Sequence, residues 1–242
     1  MQEQQRPPRR RGPDLQAQKT YGISAMRRIV RSLPPIERAY ATIRFTIMRS
    51  KLLTLIDLLL PIEGRILDVG CGFGLFASYF GLSAPGRSIL GVDPNGRRVG
   101  IARNVARELG LEQHEFIEGY AEDPRIQGPF DGIYLLDVLH HVPSAKQQGL
   151  LEHLTSLLTP HGVLVIKDVT TEPWLELKFT EVLDRVMVGF DEELTYRHHS
   201  EWARRLYDLG FSVRAVRVPD ALPYPHVIVV GQRTGEPRPQ TP

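Results

Sequence analysis

The stretch RILDVGCGFGLF, residues 65–76, constrains this chain more than any other. Three glycines fall within five positions between two apolar runs, and Asp68 stands just before them. Glycine weakens strands and helices, so a cluster here signals a tight turn where something approaches the backbone itself. Downstream the pattern alternates. RILDV, SILGV, HEFIEG and FDGIYLLD read as short strands, with helices over about 75–82 and 96–109 between the first three. Residues 144–158 read as an amphipathic helix that ends at TPHG, before the strand GVLVIKD. Such alternation indicates a parallel sheet covered on both faces. A polar, mostly helical stretch from about 173 to 209 precedes FSVRAVRV and HVIVVGQ. Only PDALPYPH separates these two runs, too little for a crossover helix, so they are expected to pair antiparallel.

The flanks differ from this core. Residues 1 to about 20, rich in Pro, Gln and Arg, read as unstructured, as does TGEPRPQTP at the other end. Residues 1–31 carry eight Lys and Arg against Glu3 and Asp14, which leaves the remainder mildly acidic. A basic leader of this kind could meet anionic lipid or nucleic acid, and a solvated tail is the plainer reading. From Glu37 to Leu60 apolar residues recur at helical spacing, after Pro34 and Pro35 and up to Pro61, and predict one helix. The single cysteine excludes an internal disulfide and fits a reducing compartment. No apolar run reaches the roughly 18–20 residues of a membrane-spanning helix. No secretory or twin-arginine signal is apparent either, so a cytoplasmic protein is expected.

In an open parallel sheet, ligands bind beyond the carboxyl ends of the strands, where Gly70, Gly72 and Gly74 fall. The following helix presents free N–H groups there. Nicotinamide cofactors use a related loop, but the spacing here is G-x-G-x-G, and a carboxylate before the loop serves a pyrophosphate poorly. Asp68 suits a cationic amino-acid group instead. Asp93 ends the next strand, where a carboxylate accepts two hydrogen bonds from ribose hydroxyls. A ligand with ribose at one end and a cationic amino acid at the other is S-adenosylmethionine.

The runs ILDVGCGFG, GVDPN, EGYAED, FDGIYLLDVLHHVP and LTPHGVLVIKDV, in this order, resemble class I S-adenosylmethionine-dependent methyltransferases of the small-molecule type. The resemblance covers about residues 62–170. It implies a Rossmann-like α/β fold, with a seven-stranded, mostly parallel sheet, an antiparallel last strand and helices on both faces. It also implies specific contacts. Asp68 would orient the methionine amino group, and the backbone from Gly70 to Gly74, with Cys71 and Gly72 between, would line methionine and ribose. Asp93 would hold the ribose, beside Pro94 and Asn95. Ala121 and Glu122 would pass the adenine edge, and Asp137 and Val138 would face the sulfonium. Tyr120 stands where many relatives carry Asp. Gly74 also fits simple helix packing, Asp137 a turn cap, and Cys71 a small wall residue rather than a nucleophile. The chain then divides into a basic, disordered leader (1–31), a helical lid (32–61), the cofactor-binding domain (62–233, with 173–210 shaping an acceptor pocket) and a disordered tail (234–242).

Methyl transfer to a hydroxyl needs an aligned acceptor and a proton acceptor, and histidine titrates in the right range. His140 and His141 follow the fourth strand. The late segment TYRHHSEW supplies Tyr196 and His199 as further candidates, although His199 or Ser200 could instead cap the helix carrying Trp202. Tyr224 and His226 could close the pocket or form a rigid turn. No metal is expected. Some relatives that methylate catechols hold magnesium with an Asp, Asp, Asn set; Asp137 and Asp168 resemble its first two members, and no third is found. The amino-group motif Asn/Asp-Pro-Pro-Tyr/Phe is absent, which argues against a nucleobase and against nucleic acid as partner. Phe45, Ile47 and Met48 could cover an acyl or aromatic acceptor or simply pack against the sheet. If that face is partly open, Arg44, Arg49 and Lys51 beside it favour an anionic amphiphile or a membrane surface. A small, apolar or lipid-like acceptor is the favoured expectation. Contact with an anionic membrane through the basic N-terminus is a further expectation. Oxygen is the favoured acceptor atom, with nitrogen and carbon open. An RNA or protein methyltransferase and a non-catalytic cofactor-binding protein are the alternatives.

Overall fold

The computed structural model describes residues 15–188, 194–218 and 224–233, the side chains of 15–20 and 183–188 aside. Seven strands form one sheet: β1 (Glu63–Val69), β2 (Gly86–Asp93), β3 (Glu115–Glu118), β4 (Phe130–Leu136), β5 (Leu158–Val169), β6 (Phe211–Arg217) and β7 (His226–Arg233). Their spatial order is β3-β2-β1-β4-β5-β7-β6. Only β7 runs against its neighbours, pairing antiparallel with both β5 and β6. The order reverses between β1 and β4, and that switch point places the carboxyl ends of β1, β2 and β4 around one crevice.

Helices α4 (Leu75–Ser83) and α5 (Gly96–Glu108) cover one face; α6 (Ser144–Ser156) and α8 (His199–Asp208) cover the other. The alternation of each central strand explains this. Ile66 and Tyr134 join the core on the α4 and α5 side, while Leu67, Ile133 and Leu135 join the core on the α6 and α8 side. Helix α7 (Trp174–Val188) follows β5.

The N-terminal region departs from the expected unstructured leader. Residues 15–32 form helix α1 (Leu15–Ser32), which packs against α4. Ala25, Ile29 and Leu33 recur every four residues and are buried, while Arg27, Arg28 and Arg31 face solvent. The basic residues are thus the wet side of an amphipathic helix, and burying Ile29 and Leu33 stabilises it by roughly 1.5–3 kcal/mol each. Residues 1–14 and the expected tail at 234–242 lie outside the described residues.

The single helix expected from Glu37 to Leu60 is two, α2 (Pro35–Ile47) and α3 (Ser50–Leu59). Arg49, at φ 20°, breaks the run. Its apolar spacing continues through Met48 and Leu52, so periodicity alone gives no sign of the break. Arg87, buried at the start of β2, holds the ends of two helices: it donates to the carbonyls of Asp57, Leu60 and Pro61 after α3 and of Phe80 in α4. Among the described residues no helix is long and apolar enough to cross a membrane.

Candidate active site

The glycine loop leaves β1 and turns back at once. Gly70 and Gly72 adopt φ of 76° and 52°, a region that L side chains avoid. A Cβ at Gly70 would lie 2.6 Å from Val138, whereas one at Gly72 would meet no atom within 4 Å. Gly70 is therefore shaped by packing and Gly72 faces open space. Gly74 serves both turn and packing, against Ala102 of α5. Asp93 locks the loop from the next strand. Its Oδ2 accepts the Gly72 N–H and its Oδ1 the Asn95 N–H, each at 2.9 Å. Asn95 in turn caps α5 by accepting the Arg98 N–H.

Asp68 is buried beneath the loop, and its Oδ2 has no hydrogen-bond partner. Burial pushes its carboxyl up to about 8, Asp93 adds to the rise, and Tyr134, opposite on β4, works against it. Burial, reinforced by Asp68 and Asp93, also keeps Cys71 a neutral thiol, which suits a wall residue and not a nucleophile. Ala121 is buried, and its carbonyl lies 3.1 Å from His153 Nε2. Tyr120, Glu122 and Pro94 are exposed on the loops beside it.

Beyond β4 the chain turns through Asp137, a non-glycine residue at φ 58°. Lys167 from β5 pairs with its Oδ1, and Arg44 from α2 donates to its Oδ2 at 2.9 Å. Burial alone would raise this carboxyl; Lys167 and then Arg44 overcome it and hold Asp137 far below the usual carboxylate range. His226, at the start of β7, is held neutral by burial and by Lys167, its imidazole pushed down to about 3. Asp137 is therefore a neutralised ion-pair partner and not an open metal ligand. Among the described residues no cluster of three or more His, Cys, Asp or Glu could hold a metal.

His140 and Asp168 form a second buried pair, Nδ1 to Oδ1 at 2.5 Å. Tyr196 stacks on His140 with ring centroids 5.4 Å apart, and the Thr195 N–H donates to the His140 carbonyl. Arg197 fastens this segment by donating to Gln147, which itself donates to the carbonyls of Leu139 and Val142. The late segment thus brings Tyr196 to His140. His199 sits apart. Its Nδ1 meets the Thr170 hydroxyl at 3.0 Å, and burial, then His198, lowers its pKa. The cap of α8 falls on His198, whose Nδ1 accepts the Ser200 N–H, one residue before the position expected.

Lys167 and Tyr134 escape a reading of the sequence alone, as do Asp137 as the partner of Arg44 and Asp168 as the partner of His140. Lys167 and Asp168 did carry a signal: both are charges in GVLVIKD at positions whose same-face neighbours, Val163 and Val165 for the first and Leu164 and Ile166 for the second, are core residues. Arg44 lies seven residues after Glu37 on the helix face of Tyr40, a charge on a packed stripe.

S-adenosylmethionine fits this donor set. An orphaned buried carboxylate at Asp68 awaits a cation, the open face of Gly72 offers backbone contact, and both Asp93 oxygens keep lone pairs. A mixed seven-stranded sheet in this order, with a glycine loop at its switch point, is the fold of a class I S-adenosylmethionine-dependent methyltransferase. Residues 40–216 match the methyltransferase-domain family model, and the chain belongs to that family. It is similar to the ubiquinone biosynthesis O-methyltransferase of Marinobacter nauticus, 27% identical over 62% of this chain and 64% of that one. The protein of the same name from Paramagnetospirillum magneticum is 30% identical over 65% and 64%. The chain spans less than two thirds of the length of these relatives. Among solved structures, magnesium protoporphyrin IX methyltransferase from Synechocystis, with bound S-adenosylhomocysteine, shares the fold at a TM-score of 0.60 and 20% identity, over 90% of this chain and 98% of that one.

Proposed function

We propose that this protein methylates an oxygen of a small, apolar or lipid-like acceptor, with His140 as general base. The cofactor supplies a methyl group on a sulfonium and leaves as the neutral thioether S-adenosylhomocysteine. Asp68 pairs with the amino-acid ammonium of the cofactor, Asp93 with its ribose, and the loop from Gly70 to Gly74 supplies backbone contact, with Pro94, Ala121 and Glu122 along the adenine side. Val138, packed on Gly70, borders the sulfonium end.

The buried His140–Asp168 pair carries this reading. A carboxylate at Nδ1 keeps a proton there and orients the ring so that Nε2 takes the acceptor's hydroxyl proton as the O–C bond forms and the S–C bond breaks. Tyr196 fixes the ring plane. His141, 4.1 Å from the His140 ring, supports the pair, and His199, already engaged by Thr170, is a wall residue. The names of the relatives support oxygen as the acceptor atom. Phe45, Ile47 and Met48 are buried in packing, so the apolar acceptor rests on the relatives' names alone.

The test is incubation of purified protein and host extract with methyl-labelled S-adenosylmethionine, then separation into organic-soluble, small polar and macromolecular pools. Label is expected in the organic pool and is expected to vanish with Asp93→Ala. Label in RNA or protein would contradict the acceptor class.

A further inference from the structure

Past β3 the chain folds into a turn that methyl transfer itself does not use. The Gly119 N–H donates to the Asp93 carbonyl at 3.1 Å, so Tyr120 stands one residue beyond the point where β3 meets the end of β2. The Tyr120 carbonyl accepts the Asp123 N–H at 3.0 Å, and the Asp123 carbonyl accepts the Ile126 N–H at 2.8 Å. Arg125 braces this turn by donating to the Glu118 carbonyl and to both Asp123 oxygens. Ala121 and Ile126 anchor it in the core. The backbone under Tyr120 is therefore fixed, while its ring stands 71% exposed.

An aromatic ring on a braced backbone loses little conformational entropy when it meets a flat partner. The flat partner follows from the assignment of Asp93 to the ribose, since the purine is the planar group attached to that sugar. The acids of the turn are placed differently. Asp123 engages both oxygens with Arg125, and the Glu118 carboxylate lies against Gly96 at the start of α5. Glu122 sits two residues further round, exposed at the tip of the turn. The difference between ring and acid has a chemical consequence. A carboxylate pairs with the 6-amino group of adenine and rejects a 6-oxo group, which would set one acceptor against another. An aromatic face stacks on either purine alike.

We propose that Tyr120 is the base-side wall of the cofactor site and a specificity-determining residue: it holds the purine by its face, and the site therefore accepts a 6-oxopurine nearly as well as adenine. Asp, which many relatives carry at this position, would read the 6-amino group instead. The inference rests on the cofactor assignment of Asp93 and is independent of the acceptor and of His140.

The experiment measures, by calorimetry on the full chain, the Kd of S-adenosylhomocysteine and of its deaminated analogue S-inosylhomocysteine. Tyr120 is exposed, so its variants should fold, and thermal unfolding checks that they do. The parent is expected to bind the two ligands within about fivefold of each other. Tyr120→Ala should weaken both about tenfold, a loss of about 1.4 kcal/mol, and Tyr120→Phe should keep both near the parent's values. Tyr120→Asp should hold S-adenosylhomocysteine within a few-fold and reject S-inosylhomocysteine by about thirtyfold or more. A parent that rejects S-inosylhomocysteine more than about fivefold would overturn the inference, and loss of that rejection in Glu122→Gln would assign the base reading to Glu122. Tyr120→Ala within twofold of the parent for both ligands would overturn it as well. Asp93→Ala should lose both ligands alike; if it binds them as the parent does, the cofactor assignment fails and the inference falls with it.

Discussion

Arg44 of α2 and Lys167 of β5 hold opposite oxygens of Asp137, so one buried carboxylate joins the N-terminal helices to the middle of the sheet. Removing it leaves two cations in a site built for three charges. Asp137→Asn is therefore expected to cost about 3–5 kcal/mol in urea unfolding, because the partners stay buried and unpaired. Adding Lys167→Met should restore part of that loss. A double variant no more stable than Asp137→Asn would show that the ion pairs are not what the substitution disrupts.

The Asp68 carboxyl, pushed up to about 8, predicts a proton count on binding. In the free protein it is mostly protonated at pH 7, and pairing with the cofactor's ammonium favours the charged form. Binding S-adenosylhomocysteine at pH 7 should release about one proton, read from calorimetry in buffers of different ionisation enthalpy. Asp68→Asn should bind far more weakly and release none. The sign for stability follows: the folded pKa lies above the unfolded one, so the ligand-free protein loses stability as pH rises from about 4 to about 8. The variant should lack that loss.

Arg87 separates stability from function. It sits at the start of β2, at the opposite end of the strand from Asp93, and its guanidinium donates to carbonyls at the ends of α3 and α4. Arg87→Met should lower stability by roughly 2–4 kcal/mol, since the Leu60 and Pro61 carbonyls lose their donor and Asp57 loses its charged partner. Cofactor affinity measured below the unfolding transition should stay within twofold of the parent.

His114 lies against Gly81 of α4, where a Cβ would fall 2.0 Å from its Nε2. Burial pushes its imidazole down to about 4, with the Ala77 backbone opposing. The folded pKa is below the unfolded value, so stability is full above about pH 6.5 and falls as pH drops toward 4, by at most about 1.4 kcal/mol per pH unit. Thermal unfolding of His114→Met between pH 7 and 4 should show a shallower acid slope than the parent.

The legible parts of the molecule were those where one local rule dominates. ILDVGCGFG announced its turn because glycine adopts such φ far more readily than any L side chain, and Asp93 announced itself by ending an apolar strand. The antiparallel β7 followed from a connection too short for a helix. Other features are written in no local pattern. Basic residues of α1 masked an apolar face at Ala25, Ile29 and Leu33, so composition outweighed periodicity. Arg49 broke a helix without Gly or Pro. Partners distant in sequence were hidden most deeply: Arg44 with Asp137, 93 positions apart, and His140 with Asp168, 28 apart. Such pairs exist only once the sheet has brought its strand ends together.

The central claim is methyl transfer assisted by His140 under the control of Asp168. The most direct test is kcat/KM, from pH 6 to 9, for the acceptor recovered from the organic-soluble pool, in the parent and in His140→Gln, Asp168→Asn and His199→Gln. Losses of about 10²–10⁴-fold are expected for the first two, with S-adenosylhomocysteine affinity near the parent's in both, and His199→Gln should stay within a few-fold of the parent. Activity of His140→Gln within threefold of the parent across that range would contradict it.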